Sequence, residues 1–248
     1  MVNLHCLHGA LQTPAVWSDF AEQLAARAGD ADTIRVLAED VDPPASGGLE
    51  SWAVGLCRRI RSTGEDGESR VLLGYSLGGR LAMHALVACP RAWSAAVLVA
   101  AHPGGGSAAE RAAVRRRDAA WAERCRRDRW DRVLADWDAQ AVFGGRPNRA
   151  PRAPDGFERE RCARTFEAFS RAGQADLRPL LAAATLPPVR YVTGEDDARY
   201  GALGHELAER VPSITHAIVA DAGHRVPWDR PDVFAAAVWR FMREVVRP

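Results

Sequence analysis

Residues 71–80 read Val71-Leu72-Leu73-Gly74-Tyr75-Ser76-Leu77-Gly78-Gly79-Arg80, a short apolar run that meets the pattern Gly-x-Ser-x-Gly. The six residues that follow carry helical spacing. A strand that turns sharply at a serine and continues as a helix is a nucleophile elbow, which exposes the serine hydroxyl for chemistry. A side chain at Gly74 or Gly78 would collide with the flanking strand or helix. We therefore predict that Ser76 is the reacting residue, rather than an idle serine in a glycine-rich turn.

Strands and helices alternate on both sides of the elbow. Short apolar segments that read as strands lie at residues 4–7, 34–38, 95–100, 188–193 and 214–220, besides the elbow strand. Alternating strands and helices predict an α/β fold with a mostly parallel sheet flanked by helices. The alternation stops at about residues 102–175, where the sequence is helical and rich in arginine. We therefore expect a single α/β-hydrolase domain over residues 1–248, with a core of 1–101 and 176–248 and an inserted helical cap of about 102–175.

The composition argues against several other classes of protein. The chain has 33 basic and 32 acidic residues and a net charge of +1, which does not indicate a nucleic-acid partner. No segment approaches the about 20 apolar residues of a membrane span, and residues 1–7 do not resemble an export signal. The five cysteines are scattered, so we expect neither a disulfide framework nor a zinc site, and a reducing cytoplasm fits best. No oligomeric state is predicted.

Three residues follow one another in the order serine, acid, histidine that is typical of α/β hydrolases. Ser76 ends the elbow strand, Asp197 follows a later strand, and His224 follows the last strand. Because the carboxyl ends of parallel strands lie along one edge of a sheet, we expect these side chains to meet. His224 would act as the base, and a carboxylate would orient it. Asp196 competes with Asp197 for the acid, and we favour Asp197 because the spacing Gly194-x-x-Asp197 is usual at this turn. Either aspartate could instead cap a helix.

The turn after the first strand predicts an oxyanion hole. Gly9 allows the backbone to reverse and to direct an N–H group into a cavity. In the hydrolase pattern one donor lies here and the other lies directly after the nucleophile. We therefore expect the amides of Ala10 and Leu77 to be these donors. His8 more often braces such a loop than takes part in catalysis.

The sequence resembles one branch of the α/β-hydrolase superfamily, the 2-succinyl-6-hydroxy-2,4-cyclohexadiene-1-carboxylate (SHCHC) synthase family. The elbow matches that family nearly throughout. Other hydrolases share much of the elbow sequence, and Arg80 is the elbow residue that most distinguishes this family. The resemblance covers almost the whole chain and is weakest at residues 42–47. It continues in the family's order through His102-Pro103-Gly104, Glu110-Arg111, Asp118, Trp121, Asp136-Trp137, Gln140, Val142-Phe143, Gln174, Asp176-Leu177, Gly194-Glu195, Asp197 and Ala222-Gly223-His224.

This resemblance implies a lyase reaction in menaquinone biosynthesis. The family eliminates pyruvate from 2-succinyl-5-enolpyruvyl-6-hydroxy-3-cyclohexene-1-carboxylate, a small substrate with several carboxylates, and needs no metal or organic cofactor. The Ser76–His224 pair would remove a ring proton. The amides of Ala10 and Leu77 would then stabilise the enolate oxygen, since fixed donors bind that charge better than the starting ketone.

The resemblance also implies residues that bind the substrate. Arginine binds carboxylates in a fork, so Arg80 is a candidate, with a structural ion pair as its alternative role. Tyr75 and Trp137 would be walls of the pocket. The family usually has an arginine where this chain has Val114, and Arg111 and Arg115 on either side are the candidate substrate-binding residues. Arg115 would replace the missing arginine after a small shift of helix register; otherwise the carboxylate is bound more weakly. A further substrate arginine could be any of Arg152, Arg159 and Arg161.

Two other functions remain as alternatives. The first is a serine hydrolase that acts on an ester or thioester of a small carboxylate-bearing substrate and uses Ser76 as a covalent nucleophile. The second is a binding protein that keeps the fold and has lost activity. The presence of all three residues Ser76, Asp197 and His224 argues against the second.

Overall fold

A computed structural model describes residues 1–28, 34–63, 68–152 and 156–246 of the chain. Within these residues, six strands form one sheet: β1 (Val2–Leu7), β2 (Ile34–Glu39), β3 (Ser69–Tyr75), β4 (Ala95–Val99), β5 (Val189–Gly194) and β6 (Ile214–Val219). The strand order is β2-β1-β3-β4-β5-β6, and each neighbouring pair is parallel. The predicted parallel α/β fold is therefore confirmed, and β3, which leads into the elbow, lies inside the sheet.

Helices cover both faces of this sheet. They are α1 (Ser18–Ala28), α2 (Leu49–Thr63), α3 (Leu77–Ala88), α8 (Ala198–Arg210), α9 (Val226–Asp229) and α10 (Pro231–Val245). Side chains alternate along β3, so Leu72 packs in one apolar cluster with α2 and α3, whereas Val71 and Leu73 pack in another with α1 and α10. Burial on both faces explains why the strands read as nearly continuous apolar runs.

Between β4 and β5 the chain leaves the sheet and forms helices. These are α4 (Ala108–Arg127), α5 (Trp130–Asp138), α6 (Arg159–Ala168) and α7 (Arg178–Ala183), and the described part of this segment contains no strand. Ser107 and Glu110 start α4 with a reciprocal capping box. Trp121 of α4 and Phe166 of α6 pack together in a third apolar cluster. The predicted helical stretch at residues 102–175 therefore contains α4, α5 and α6.

One pair of cysteines is joined, although the scattered cysteines predict no disulfide framework. Cys57 of α2 and Cys89, directly after α3, are joined, with their Cα atoms 6.3 Å apart. They are 32 residues apart in sequence, and only the side-by-side packing of α2 and α3 brings them together. Cys6, Cys125 and Cys162 are free. In the parts that the structure describes, no helix has the length and apolarity to cross a membrane, and no group of histidine, cysteine and acidic side chains could hold a metal ion.

Candidate active site

The elbow places Ser76 in a strained turn between β3 and α3. Its φ is 52°, a region that L residues rarely adopt. A Cβ added at Gly74 would lie 2.4 Å from the carbonyl oxygen of Gly78, and one added at Gly78 would lie 2.3 Å from that of Leu7. The Ser76 N–H group donates to the carbonyl oxygen of Val99 at 2.9 Å. The two glycines and this bond hold the serine at the edge where the strands end.

His224 and Asp197 complete a chain of contacts that starts at this serine. His224 Nε2 lies 3.3 Å from Ser76 Oγ, and its Nδ1 lies 2.7 Å from Asp197 Oδ2. Both side chains are buried, with 4% and 6% of the surface of each residue exposed. Nδ1–H donates to the carboxylate in this arrangement, so Nε2 is left to accept the serine proton. The structure thus brings together the three residues that the sequence order singles out.

The choice between the two aspartates follows from their surroundings. Asp197 orients His224 and also caps α8, because its Oδ1 accepts from the N–H group of Tyr200 at 3.3 Å. The side chain of Asp196 is 55% exposed and pairs with Arg146 instead. Asp197 therefore has both of the roles that the sequence left as alternatives, and Asp196 makes no contact with His224.

The predicted oxyanion donors lie beside the serine. Ala10 and Leu77 line the same cavity as Ser76. Leu77 is the first residue of α3, so its N–H group has no acceptor within the helix. The neighbouring loop is braced by His8, whose Nδ1 lies 2.8 Å from the carbonyl oxygen of Gly9 and whose Nε2 accepts from the N–H group of Val41 at 3.4 Å. Burial lowers the pKa of His8 to about 4, so this brace is a neutral imidazole.

Ser76 and His224 open into a cavity of about 360 Å³. Its apolar wall comes from aromatic side chains of the segment between β4 and β5, namely Trp137, Phe143, Phe166 and Phe169. Its polar wall contains four arginines among the described residues, Arg80, Arg117, Arg171 and Arg199. The volume lies in the range of small-molecule sites. Trp137 is therefore a cavity wall, where the resemblance places it.

Arg80 contributes a fixed positive charge to this cavity. Its guanidinium donates to the carbonyl oxygen of Phe169 at 2.8 Å and to Gln174 Oε1 at 3.2 Å, and both acceptors are neutral. No carboxylate of the described chain forms an ion pair with it. Burial lowers its pKa to about 10, which leaves it charged at neutral pH. The group is held in place without being neutralised, as a binding site for an anion requires.

Two of the predicted cavity arginines lie elsewhere. Arg111 and Arg115 are exposed on the outer side of α4, where they line a shallow surface groove. The helix turns Val114 and Asp118 inward instead, and this brings Arg117 to the cavity wall. The prediction that Arg111 and Arg115 face the substrate pocket is wrong, because it depended on the rotation of α4 about its own axis.

The prediction that Tyr75 forms a pocket wall is also wrong. The centroid of its ring lies 4.9 Å from that of Trp228, in edge-on packing, and 5.7 Å from that of His224. Tyr75 belongs to the apolar core cluster beneath the site. It does not line the cavity. Since successive side chains of β3 point to opposite faces of the sheet, Tyr75 points into the core and supports His224 from behind.

Several cavity residues escaped the sequence reasoning. Arg199 lies two positions after Asp197, so the strand-end rule that located the acid could have found it. Arg171 follows α6 in a short turn with no motif to mark it. His102 accepts from the N–H group of Gly104 through Nδ1 at 3.0 Å, and burial together with Arg171 and Arg199 lowers its pKa to about 3. It therefore lines the cavity as a neutral imidazole.

Comparison with known proteins identifies the class to which this site belongs. The profile of the alpha/beta hydrolase family matches residues 6–237. The chain belongs to that family, in agreement with its parallel sheet and its elbow.

Relatives of known name narrow the comparison. The chain is 40% identical over 173 residues to the 2-succinyl-6-hydroxy-2,4-cyclohexadiene-1-carboxylate synthase of Klebsiella pneumoniae subsp. pneumoniae, which covers 67% of this chain and 66% of that enzyme. It is 35% identical over 176 residues to the enzyme of the same name from Escherichia coli O1:K1, in an alignment that covers 69% of this chain and 68% of that enzyme. The alignment with the Klebsiella enzyme thus spans just under two thirds of that enzyme. The resemblance to SHCHC synthases is confirmed.

Solved structures agree on the fold. The structure of MenH from S. aureus superposes with a TM-score of 0.83 at 20% identity and covers 99% of this chain and 94% of its own. A thermophilic esterase from Thermogutta terrifontis, with malate bound, gives a TM-score of 0.71 at 18% identity. The superposition covers 100% of this chain and 91% of the esterase chain. At these identities the likeness concerns the fold alone.

Proposed function

We propose that the protein is an SHCHC synthase, a lyase that eliminates pyruvate from 2-succinyl-5-enolpyruvyl-6-hydroxy-3-cyclohexene-1-carboxylate in menaquinone biosynthesis. One observation carries the proposal. Ser76 and His224 open into a cavity whose described wall has four arginines and a single carboxylate, Asp118, which already pairs with Arg117 at 2.7 Å. A substrate with several carboxylates matches this excess of positive charge.

The first step is removal of a proton from the ring carbon next to the succinyl ketone. Ser76 Oγ takes this proton while its own hydroxyl proton passes to His224 Nε2, 3.3 Å away. Asp197, 2.7 Å from Nδ1, stabilises the resulting imidazolium. The two electrons of the broken C–H bond move into the ketone, which becomes an enolate. The amides of Ala10 and Leu77 would bind the enolate oxygen.

The second step breaks the ring C–O bond to the enolpyruvyl group. The electrons of the enolate form a double bond between ring carbons 2 and 3, and the double bond between carbons 3 and 4 shifts to carbons 4 and 5. The bond from carbon 5 to oxygen breaks, and the enolpyruvyl group leaves as the enolate of pyruvate. The proton held on His224 returns through Ser76 to the methylene carbon of that enolate, so free pyruvate departs and the site is restored. Because no bond to Ser76 forms, the serine acts as a proton relay throughout.

The test is to incubate purified protein with the enolpyruvyl cyclohexene substrate and to follow pyruvate by a coupled dehydrogenase assay. We expect pyruvate release far above the uncatalysed rate. Absence of release, together with rapid turnover of p-nitrophenyl esters and trapping of Ser76 by a serine-directed phosphonate, would instead identify a hydrolase. Binding of the substrate without conversion by both wild type and Ser76→Ala would indicate a binding protein.

We also propose that the protein acts in the cytoplasm. Three of its cysteines, Cys6, Cys125 and Cys162, are free thiols, as a reducing compartment favours. The Cys57–Cys89 disulfide argues the other way, since disulfides are rare in that compartment. Cell fractionation followed by the pyruvate assay tests the location, and activity confined to the cytoplasmic fraction is expected.

A further inference from the structure

Two arginines at the cavity lack the partners that neighbouring arginines have. Most arginines of the segment between β4 and β5 form ion pairs, as Arg126 does with Glu160 and Glu167 and Arg152 does with Asp138. For Arg171 and Arg199, no carboxylate of the described chain lies within ion-pair distance. Both line the cavity of Ser76, as Arg126 and Arg152 do not.

These two arginines reach the cavity from separate parts of the fold. Arg171 lies in the turn Arg171–Gly173 after α6 and is half-buried, and the only described hydrogen bond of its guanidinium is to the carbonyl oxygen of Gly105 at 3.5 Å. Arg199 lies in the first turn of α8 and is exposed at the rim, with its guanidinium carbon 6.0 Å from the Tyr200 ring. Neither guanidinium is held by a strong bond, so both are free to engage a ligand.

The two charges are close enough to oppose each other. Burial lowers the pKa of Arg171, and Arg199 lowers it further. Two like charges at the wall of one cavity cost free energy unless an anion lies between them. Arg80 is the deeper of the charges, because it lies one turn after Ser76 on α3. The cavity therefore offers one positive site beside the serine and another that extends to the rim.

We propose that Arg171 and Arg199 form a second carboxylate subsite, which binds the end of a dicarboxylate or tricarboxylate ligand whose other end lies at Arg80. These residues would take the part of the arginine that is missing at Val114, which the structure buries on the inner side of α4. The proposal rests on the proposed function only for the identity of the natural substrate. The class of ligand, a small molecule with two separated carboxylates, follows from the cavity itself.

The test measures binding of simple dicarboxylates, so it does not depend on the lyase reaction. Calorimetry is carried out with linear α,ω-dicarboxylates of four to eight carbons and with the monocarboxylates of equal length. The proteins are wild type, Arg171→Gln, Arg199→Gln, and Arg115→Gln, which removes an exposed arginine outside the cavity. We expect each cavity variant to bind the best dicarboxylate about 10-fold to 100-fold more weakly, while the monocarboxylates change less than about 3-fold.

Two further measurements keep the outcome clear. Circular dichroism and melting temperature should match wild type in every variant, and Arg171→Lys should keep part of the affinity because it keeps the charge. In the pyruvate assay, Arg171→Gln should raise KM and leave kcat nearly unchanged. Equal dicarboxylate affinity in Arg171→Gln, Arg199→Gln and Arg115→Gln, or no dicarboxylate binding to wild type, overturns the subsite. Absence of pyruvate release with the affinity differences intact overturns the lyase and leaves the subsite standing.

Discussion

Ser76 and His224 of the proposed triad Ser76, Asp197 and His224 line the same cavity as the arginines, but the two groups are held in different ways. Ser76, Asp197 and His224 follow the ends of β3, β5 and β6, and parallel pairing of the strands fixes their approach. The arginines extend from helices and turns around the cavity, and their direction depends on how each helix is rotated. Under the proposed function, the topology of the sheet therefore places the groups that react, whereas the rotation of helices and turns places the groups that bind.

The same contrast appears in the bonds that hold each group. His224 has a partner on both ring nitrogens, at 2.7 and 3.3 Å. The guanidinium of Arg171 has a single described hydrogen bond, at 3.5 Å. Changes in the triad should therefore lower kcat, and changes in the arginines should raise KM.

Removal of the serine hydroxyl should abolish the chemical step. In Ser76→Ala we expect kcat for pyruvate release to fall by about 10⁴-fold, because no proton relay remains between the ring carbon and His224. KM, or the affinity for a dicarboxylate, should change less than about 3-fold, since the arginines are untouched. Steady-state kinetics and calorimetry check the two parts. A large loss of affinity would break the division between chemistry and binding.

Replacement of the acid should give the next largest loss. Asp197→Asn removes the charge that orients His224 and stabilises its imidazolium, and we expect kcat to fall by about 10³-fold. Asp196→Asn is the matched control, because Asp196 pairs with Arg146 and does not contact His224. It should keep kcat within about 2-fold of wild type. The same pyruvate assay compares the two, and equal losses would mean that the wrong aspartate has been assigned.

The elbow glycine should be sensitive in stability as well as in activity. In Gly78→Ala the new Cβ would lie 2.3 Å from the carbonyl oxygen of Leu7, so the turn or β1 must shift. We expect a loss of about 3 kcal/mol in the free energy of unfolding, or failure to fold. Gly55→Ala is the control, because its Cβ would meet no atom within 4 Å. Denaturant unfolding should show this variant to be as stable as wild type or slightly more stable.

Loss of the deeper cavity charge should weaken binding more than chemistry. In Arg80→Gln we expect KM to rise about 10-fold to 100-fold, because one carboxylate of the substrate loses its charged partner. Arg111→Gln, an exposed change on the outer side of α4, should keep KM within about 2-fold. A rise in KM of the same size in both variants would mean that overall charge, and not the cavity, attracts the substrate.

The brace under the oxyanion loop should give the smallest effect, through pH. Folding lowers the pKa of His8 from 6.5 to about 4, so the unfolded chain binds the proton more readily between these values. Its contribution to stability is present above pH 6.5 and is lost as the pH falls toward 4. When the pH is lowered from 7 to 5, the free energy of unfolding should therefore fall by about 2 kcal/mol less in His8→Gln than in wild type. Exposed His205→Gln is the control, and an unchanged pH dependence in His8→Gln would contradict this role.

The sequence correctly predicted the features that depend on backbone conformation and on the order of the strands. Gly74 and Gly78 mark the elbow because only glycine fits there, and the order of Ser76, Asp197 and His224 follows the order of the strands. Both features can be recognised from residues that are adjacent in sequence and from the order of the strands, without knowledge of side-chain packing. The choice of Asp197 over Asp196 depended on spacing and agrees with the contact that the structure shows.

The parts that the sequence missed depend on the rotation and packing of helices. Arg111 and Arg115 point away from the cavity, while Arg117 lines it, because α4 turns Val114 and Asp118 inward. The approach of α2 to α3, which joins Cys57 to Cys89, likewise leaves no mark in the spacing of the cysteines. Tyr75 was misplaced since the motif does not state which face of β3 it occupies.

A single reaction can test whether Ser76, Asp197 and His224, beside the cavity arginines, eliminate pyruvate without a bond to the serine. Pyruvate release and the intact mass of the protein are followed in the same reaction with the enolpyruvyl cyclohexene substrate. We expect one pyruvate for each substrate consumed and an unchanged protein mass at every time point. A mass increase located on Ser76, or no pyruvate above the uncatalysed rate, would contradict it.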